Sequence, residues 1–148
     1  MTNANIDILN DVTKTLIDSK KGYETACDMS DDSFPLRSEF RRRASERQEL
    51  INEFQQQVRS FGGEPETDGG AAGAAHRAFS QLSSLFRDDE KAALSAIDDG
   101  EEYLAEQIED KIEKGSSELT PEVRQLLNRA LAAACEGERF AERMEDHV

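Results

Sequence analysis

The stretch FPLRSEFRRRASERQELINEFQQQVRSFGG, residues 34–63, decides the fold. Leu36, Phe40, Ala44, Ile51, Phe54, Val58 and Phe61 recur at steps of three, four or seven, which is the period of a helix with one apolar face. Asp32 or Ser33 can cap its start, and Pro35 is tolerated in the first turn, where a missing N–H costs nothing. Gly62-Gly63 supplies the left-handed stop that a side chain with a Cβ would resist.

The same period runs outward in both directions, and strand-like alternation is absent. Upstream, Leu9, Val12, Leu16, Tyr23 and Cys27 mark a first helix from about Asn5 to Met29. Downstream, residues 62–73 shift to Gly, Glu, Pro, Ala and Asp and read as a crossing connection. A short helix follows, with Ala75, Phe79, Leu82 and Phe86 on one face. Asp88 is placed to cap a third long helix with the stripe Ala93, Ile97, Leu104, Ile108 and Ile112, and Asp89 and Glu90 fall in its first turn, where the helix dipole favours negative charge. Gly115-Ser116-Ser117 breaks that helix. Thr120-Pro121-Glu122 starts a fourth, with the stripe Val123, Leu126, Ala130, Ala134, Ala141 and Met144. The expectation is one all-α domain over residues 1–148: a four-helix bundle of two hairpins, with a long crossover and a short extra helix between helices two and three. The crossover can carry the chain the length of the bundle, which would set helices two and three parallel.

Composition limits the function classes. The chain has 148 residues and a formal net charge of −14. Nucleic acid is excluded as an expected partner, because affinity for a phosphate backbone comes from Lys and Arg displacing counterions. No apolar run approaches the ~20 residues needed to cross a bilayer, and the N-terminus lacks the pattern of a secretory signal. The expected location is the cytoplasm. Cys27 and Cys135 have no Cys-x-x-Cys or Cys/His spacing and read as free thiols, Cys27 on an apolar face and Cys135 more exposed. No catalytic set can be assembled from two histidines placed at 76 and 147, and Gly69-Gly70-Ala71-Ala72-Gly73 follows no strand, so it fits no nucleotide loop.

Asp18-x3-Gly22-Tyr23-Glu24-x-Ala26, Ala44-x-Glu46-Arg47, Gly62-Gly63-x-Pro65, His76-Arg77 and Gly100-Glu101, in that order and spacing, carry a family likeness. The chain resembles the ferritin-like superfamily, and more closely an uncharacterised bacterial family of ferritin-like four-helix-bundle proteins, a domain of unknown function. The resemblance implies a fold shared with iron-storage and di-iron proteins, and no particular activity.

Ferritin-like di-metal sites take a Glu from each of two helices and a Glu-x-x-His pair from each of the other two. Here neither histidine belongs to such a pair; the second helix offers Glu46-x-x-Glu49 and the fourth Glu138-x-x-Ala141. Helical phase, about 100° per residue, adds a further test. It points Arg47, and nearly Arg43, into the apolar stripe of the second helix, and sets Glu101 among Ile97, Leu104 and Ile108 of the third. With parallel helices Arg47 and Glu101 fall at one height. A carboxylate among aliphatic groups needs a partner, and the planar fork of arginine grips both its oxygens. The expectation is a buried ion pair of Arg47 with Glu101, joined by Arg43, where relatives hold metal, with Gly137 and Ala134 leaving room on the fourth helix.

Glu24, Glu46 and Glu138 stand at stripe edges as solvated carboxylates, and with Glu101 they are the candidates for an iron or manganese site if one exists. Tyr23 and Tyr103 read as packing groups with wet hydroxyls, and Arg41-Arg42-Arg43 as a mixed-charge surface bracketed by Glu39 and Glu46. The expected function is that of a non-enzymatic bundle without cofactor, acting on a protein partner or by self-assembly. A carboxylate-bridged di-iron or di-manganese protein is the alternative.

Overall fold

A computed structural model describes residues 3–30, 34–70, 79 and 81–146. It is all-α among these residues: α1 (Asn3–Met29), α2 (Phe34–Ser60), the short α3 (Leu82–Asp88), α4 (Glu90–Lys114) and α5 (Pro121–Glu145). His76, His147, the cap at Asp32 or Ser33 and the side chains of Ala75 and Phe86 lie outside the described residues.

Local chemistry sets the ends. Thr120 caps α5 by accepting from the Val123 N–H at 3.2 Å, with Pro121 in the first turn. Asp89, not Asp88, caps α4, accepting from the Ala92 N–H at 3.1 Å, so the helix begins one residue later than its sequence signal suggests. Gly62 adopts φ +82°, the left-handed stop after α2.

The helices pack as two hairpins, α1 with α2 and α4 with α5. Contacts at one end fix their directions. The Asn5 amide donates to the Glu118 carbonyl at 3.0 Å, Lys111 pairs with Asp11 at 2.8 Å, and Gly63 lies against Ile6. The start of α1 therefore meets the ends of α2 and α4, and α2 and α4 run parallel. α1 packs on α2 and α4, and α5 packs on the same two helices.

The connection after α2 climbs α1 along one row of residues spaced by four. Asn10 bonds the Glu64 carbonyl and the Glu66 N–H, both at 3.0 Å. Lys14 pairs with Glu66 at 3.7 Å. Asp18 accepts from the Gly70 N–H at 2.9 Å. At Gly22 the Phe79 ring sits so close that a Cβ would collide with it, and the same ring closes on Gly100 of α4. This strap covers the outer side of α1, which explains why Asp18 is buried there although it lies off the apolar stripe.

The core divides into two clusters. One, near the start of α1, is mostly aliphatic: Leu9, Leu16, Ile51, Leu104, Ile108 and Leu127 are among its members, with Phe54 as its buried aromatic ring. The other is richer in aromatic rings, with Tyr23, Phe40, Phe79 and Phe140. Phe40 meets Phe140 edge-on at 5.7 Å and lies 6.1 Å from Tyr23. Between the clusters sits a polar centre.

Candidate functional site

Arg47 and Glu101 occupy that centre, both with 0% exposure. Arg47 reaches it because its phase on α2 lies inside the apolar stripe, and Glu101 because Ile97, Leu104 and Ile108 turn the same face of α4 inward. The guanidinium grips the carboxylate with two parallel bonds, Nη1 to Oε1 at 2.7 Å and Nη2 to Oε2 at 2.6 Å. This fork-on-fork geometry is the strong form of an ion pair.

Each of the two remaining long helices adds to the node. From α1, the Ser19 hydroxyl accepts from Nη1 at 2.6 Å, and the Tyr23 hydroxyl donates to Glu101 Oε2 at 2.7 Å. From α5, the Ala133 carbonyl accepts from Nη2 at 2.9 Å. Gly137 of α5 leaves the space the cluster fills, since a Cβ there would collide with Glu101 and the Tyr23 hydroxyl. The Arg47 guanidinium also lies 5.4 Å from the Tyr23 ring centroid.

Tyr23 is not a packing group with a wet hydroxyl. Burial first, and the neighbouring Glu101 charge second, push its phenol well above the usual tyrosine range, so it stays a donor. Burial pulls the Arg47 guanidinium down, and the Glu101 charge more than offsets it, so Arg47 stays cationic.

Arg43 is also buried, at 2% exposure, but it does not join Glu101. It lies one turn away, stacks on the Phe140 ring at 4.6 Å, and pairs with Glu39 at 3.4 Å and Glu136 at 3.7 Å on the rim. Phase alone points both arginines inward; height along α2 decides which carboxylate each one meets.

The four carboxylates considered for a metal do not converge. Glu101 is central. Glu24 is exposed and pairs with Lys20 at 3.6 Å, and Glu46 is half-buried beside a groove between α2 and α5. Glu138 is half-buried and groups with the half-buried Asp98 and the exposed Glu142, the one such group among the described residues whose ligand atoms all lie within 4.8 Å of one another. The groups around Glu101 are a cation and two hydroxyls, one of them donating to the carboxylate. That donor set does not fit a di-metal centre, because both oxygens already accept from a guanidinium and a bound dication would be repelled by it.

The Asp98 group was not visible in the sequence, because only the register between α4 and α5 brings positions 98, 138 and 142 together. Burial, then the charges of Glu142, Glu138, Glu145 and Asp99, raise the Asp98 carboxyl from 3.8 to about 7. Burial and Glu102 raise Glu138 in the same direction. For Asp98 the folded state keeps a proton that the unfolded chain gives up. Its contribution is therefore most favourable below pH 3.8 and is lost as the pH rises to about 7. The Asp98 side chain is half-buried and its acidic neighbours reach solvent, so screening leaves an effect of about 1 kcal/mol. Asp98→Asn should raise Tm by about 2–4 °C at pH 8, with the gain shrinking as the pH falls toward 4, as thermal melts across pH will read.

Among the described residues no helix is long and apolar enough to cross a membrane. No curated protein and no solved structure matches the chain. A family model does match, over residues 4–114, which spans α1 to α4 and includes Ser19, Tyr23, Arg47 and Glu101. The chain belongs to the family described as Domain of unknown function (DUF2383).

Proposed function

We propose that the protein is a ferritin-like bundle that works without a resident metal or a reaction centre, through a protein partner or by self-assembly. One observation carries this reading: the Arg47 fork on Glu101 at 2.7 and 2.6 Å, completely out of water. A guanidinium placed there satisfies the acid that a metal would otherwise need to neutralise. The other described polar side chains bonded at the centre, Ser19 and Tyr23, are spent on the same pair, so among the described residues the centre offers no free nucleophile or base. The acidic surface, at net charge −14, suits a partner with a basic face and disfavours nucleic acid.

The competing reading, a carboxylate-bridged di-iron or di-manganese protein, needs Glu101 released from Arg47 and joined by carboxylates that now lie apart. Metal analysis of full-length protein purified from cells supplied with iron and manganese separates the two. Well under one ion per chain is expected. About two tightly held ions per chain would overturn the proposal.

A further inference from the structure

The buried node divides its chemistry between the two hairpins. The α1–α2 hairpin brings the guanidinium and the hydroxyls of Ser19 and Tyr23; the α4–α5 hairpin brings the carboxylate, the Ala133 carbonyl and the gap at Gly137. One half is cationic and donates. The other is anionic and accepts. Two copies of the first hairpin packed face to face would bury two guanidiniums with no carboxylate, and two copies of the second would bury two carboxylates with no cation. Either mismatch falls on groups with 0% exposure, where an unpaired charge is most costly.

We infer that the node is a pairing code: each hairpin fits the other kind and rejects its own, so two copies of this chain share a bundle interior only by reciprocal hairpin exchange. In that exchange the first hairpin of one copy closes on the second hairpin of the other, and every bond of the node is kept. The chain path allows it. Contacts are densest within each hairpin, and the hairpins are joined by one connection, residues 61–89, which includes α3. Fully extended, the part before α3, residues 61–81, reaches roughly 70 Å, well beyond the ~40 Å of a helix as long as α1, so the hairpins can separate once the bonds of the strap to α1 and the Phe79 seat are released. The inference deepens the self-assembly reading, yet it rests on how charge is split between the hairpins.

Two full-length variants test it, Arg47→Met and Glu101→Leu. Each alone leaves one buried charge without its partner and should melt about 10 °C or more below the wild type. Mixed in equal amounts, unfolded in denaturant and refolded together, they can exchange hairpins. One interior then regains the native Arg47 and Glu101, and the other carries the two apolar substitutions. The expected product is a 1:1 hetero-dimer by native mass spectrometry, melting at least about 5 °C above either variant alone. If the variants do not fold singly, the same refolding should still yield the folded hetero-dimer. Wild type refolded with the Arg47→Met/Glu101→Leu double variant should give no hetero-dimer, because exchange would orphan both charges. Absence of the dimer in the first mixture, or its presence in the second, overturns the inference. Dimer formation is read independently of metal content, so failure here and failure of the metal-free reading are separable.

Discussion

Arg47→Met should lower the stability of the bundle by about 3–5 kcal/mol, a fall in Tm of about 10 °C or more, whereas Arg47→Met combined with Glu101→Leu and Tyr23→Phe should lie within about 2 kcal/mol of the wild type. The asymmetry follows from the geometry. In the single variant Glu101 stays at 0% exposure with only the Tyr23 hydroxyl for company. An uncompensated charge in that setting costs far more than the pair contributes, since the attraction between the two ions is largely offset by their lost hydration. Removing these three groups leaves apolar side chains of similar volume between two apolar clusters, with the Ser19 hydroxyl the one polar side chain of the node that remains. Tyr23 must be included, because its hydroxyl would otherwise be left buried and unpaired. Denaturant titration of the two proteins decides this, and equal stability of the single and triple variants would show that the buried charges are not coupled.

Gly137→Ala should also destabilise, by about 2–4 kcal/mol, although the same change on an exposed helix face gains up to about 1 kcal/mol. Glycine in the middle of α5 costs helix propensity, and the position is filled by its neighbours rather than by its own side chain. The Glu101 carboxylate and the Tyr23 hydroxyl enter the space a Cβ would need. A methyl group there must push the carboxylate off one of its bonds. The effect should be non-additive: in the triple background just described, where neither group is present, Gly137→Ala should become neutral or stabilising. Thermal melts of the substitution in both backgrounds provide the check.

Much of this architecture could be read before any coordinates. The stripes Leu36 to Val58 and Ala93 to Ile108 give the helices, and rotation by 100° per residue singles out Arg47 and Glu101 as inward polar groups. What phase does not carry is height relative to a neighbouring helix. That is why phase assigns Arg43, nearly as inward as Arg47, to the same pair, whereas in the structure it meets Glu39 and Glu136. Nor does phase say where a long side chain ends, so the Tyr23 hydroxyl was placed in water. Ser19 and the Ala133 carbonyl carried no signal at all, one being a small polar residue and the other a backbone acceptor inside a helix.

The strap left a trace that spacing alone could have shown. Asn10, Lys14, Asp18 and Gly22 form one row along α1, three polar residues and a glycine where a single apolar stripe needs none of them. Each holds a successive point of the connection. The Asp18, Gly22 and Tyr23 of the family likeness are thereby accounted for by architecture: a clamp for the Gly70 N–H, a seat for Phe79, and a donor to Glu101.

The middle of the bundle is closed by a guanidinium on a lone carboxylate. Anomalous diffraction from crystals of the full-length protein, prepared with iron and manganese present, addresses it most directly. No anomalous peak is expected beside Glu101, and the Arg47 fork should stand within hydrogen-bond distance of both its oxygens. A strong peak next to Glu101, with the Arg47 side chain displaced toward solvent, would contradict it.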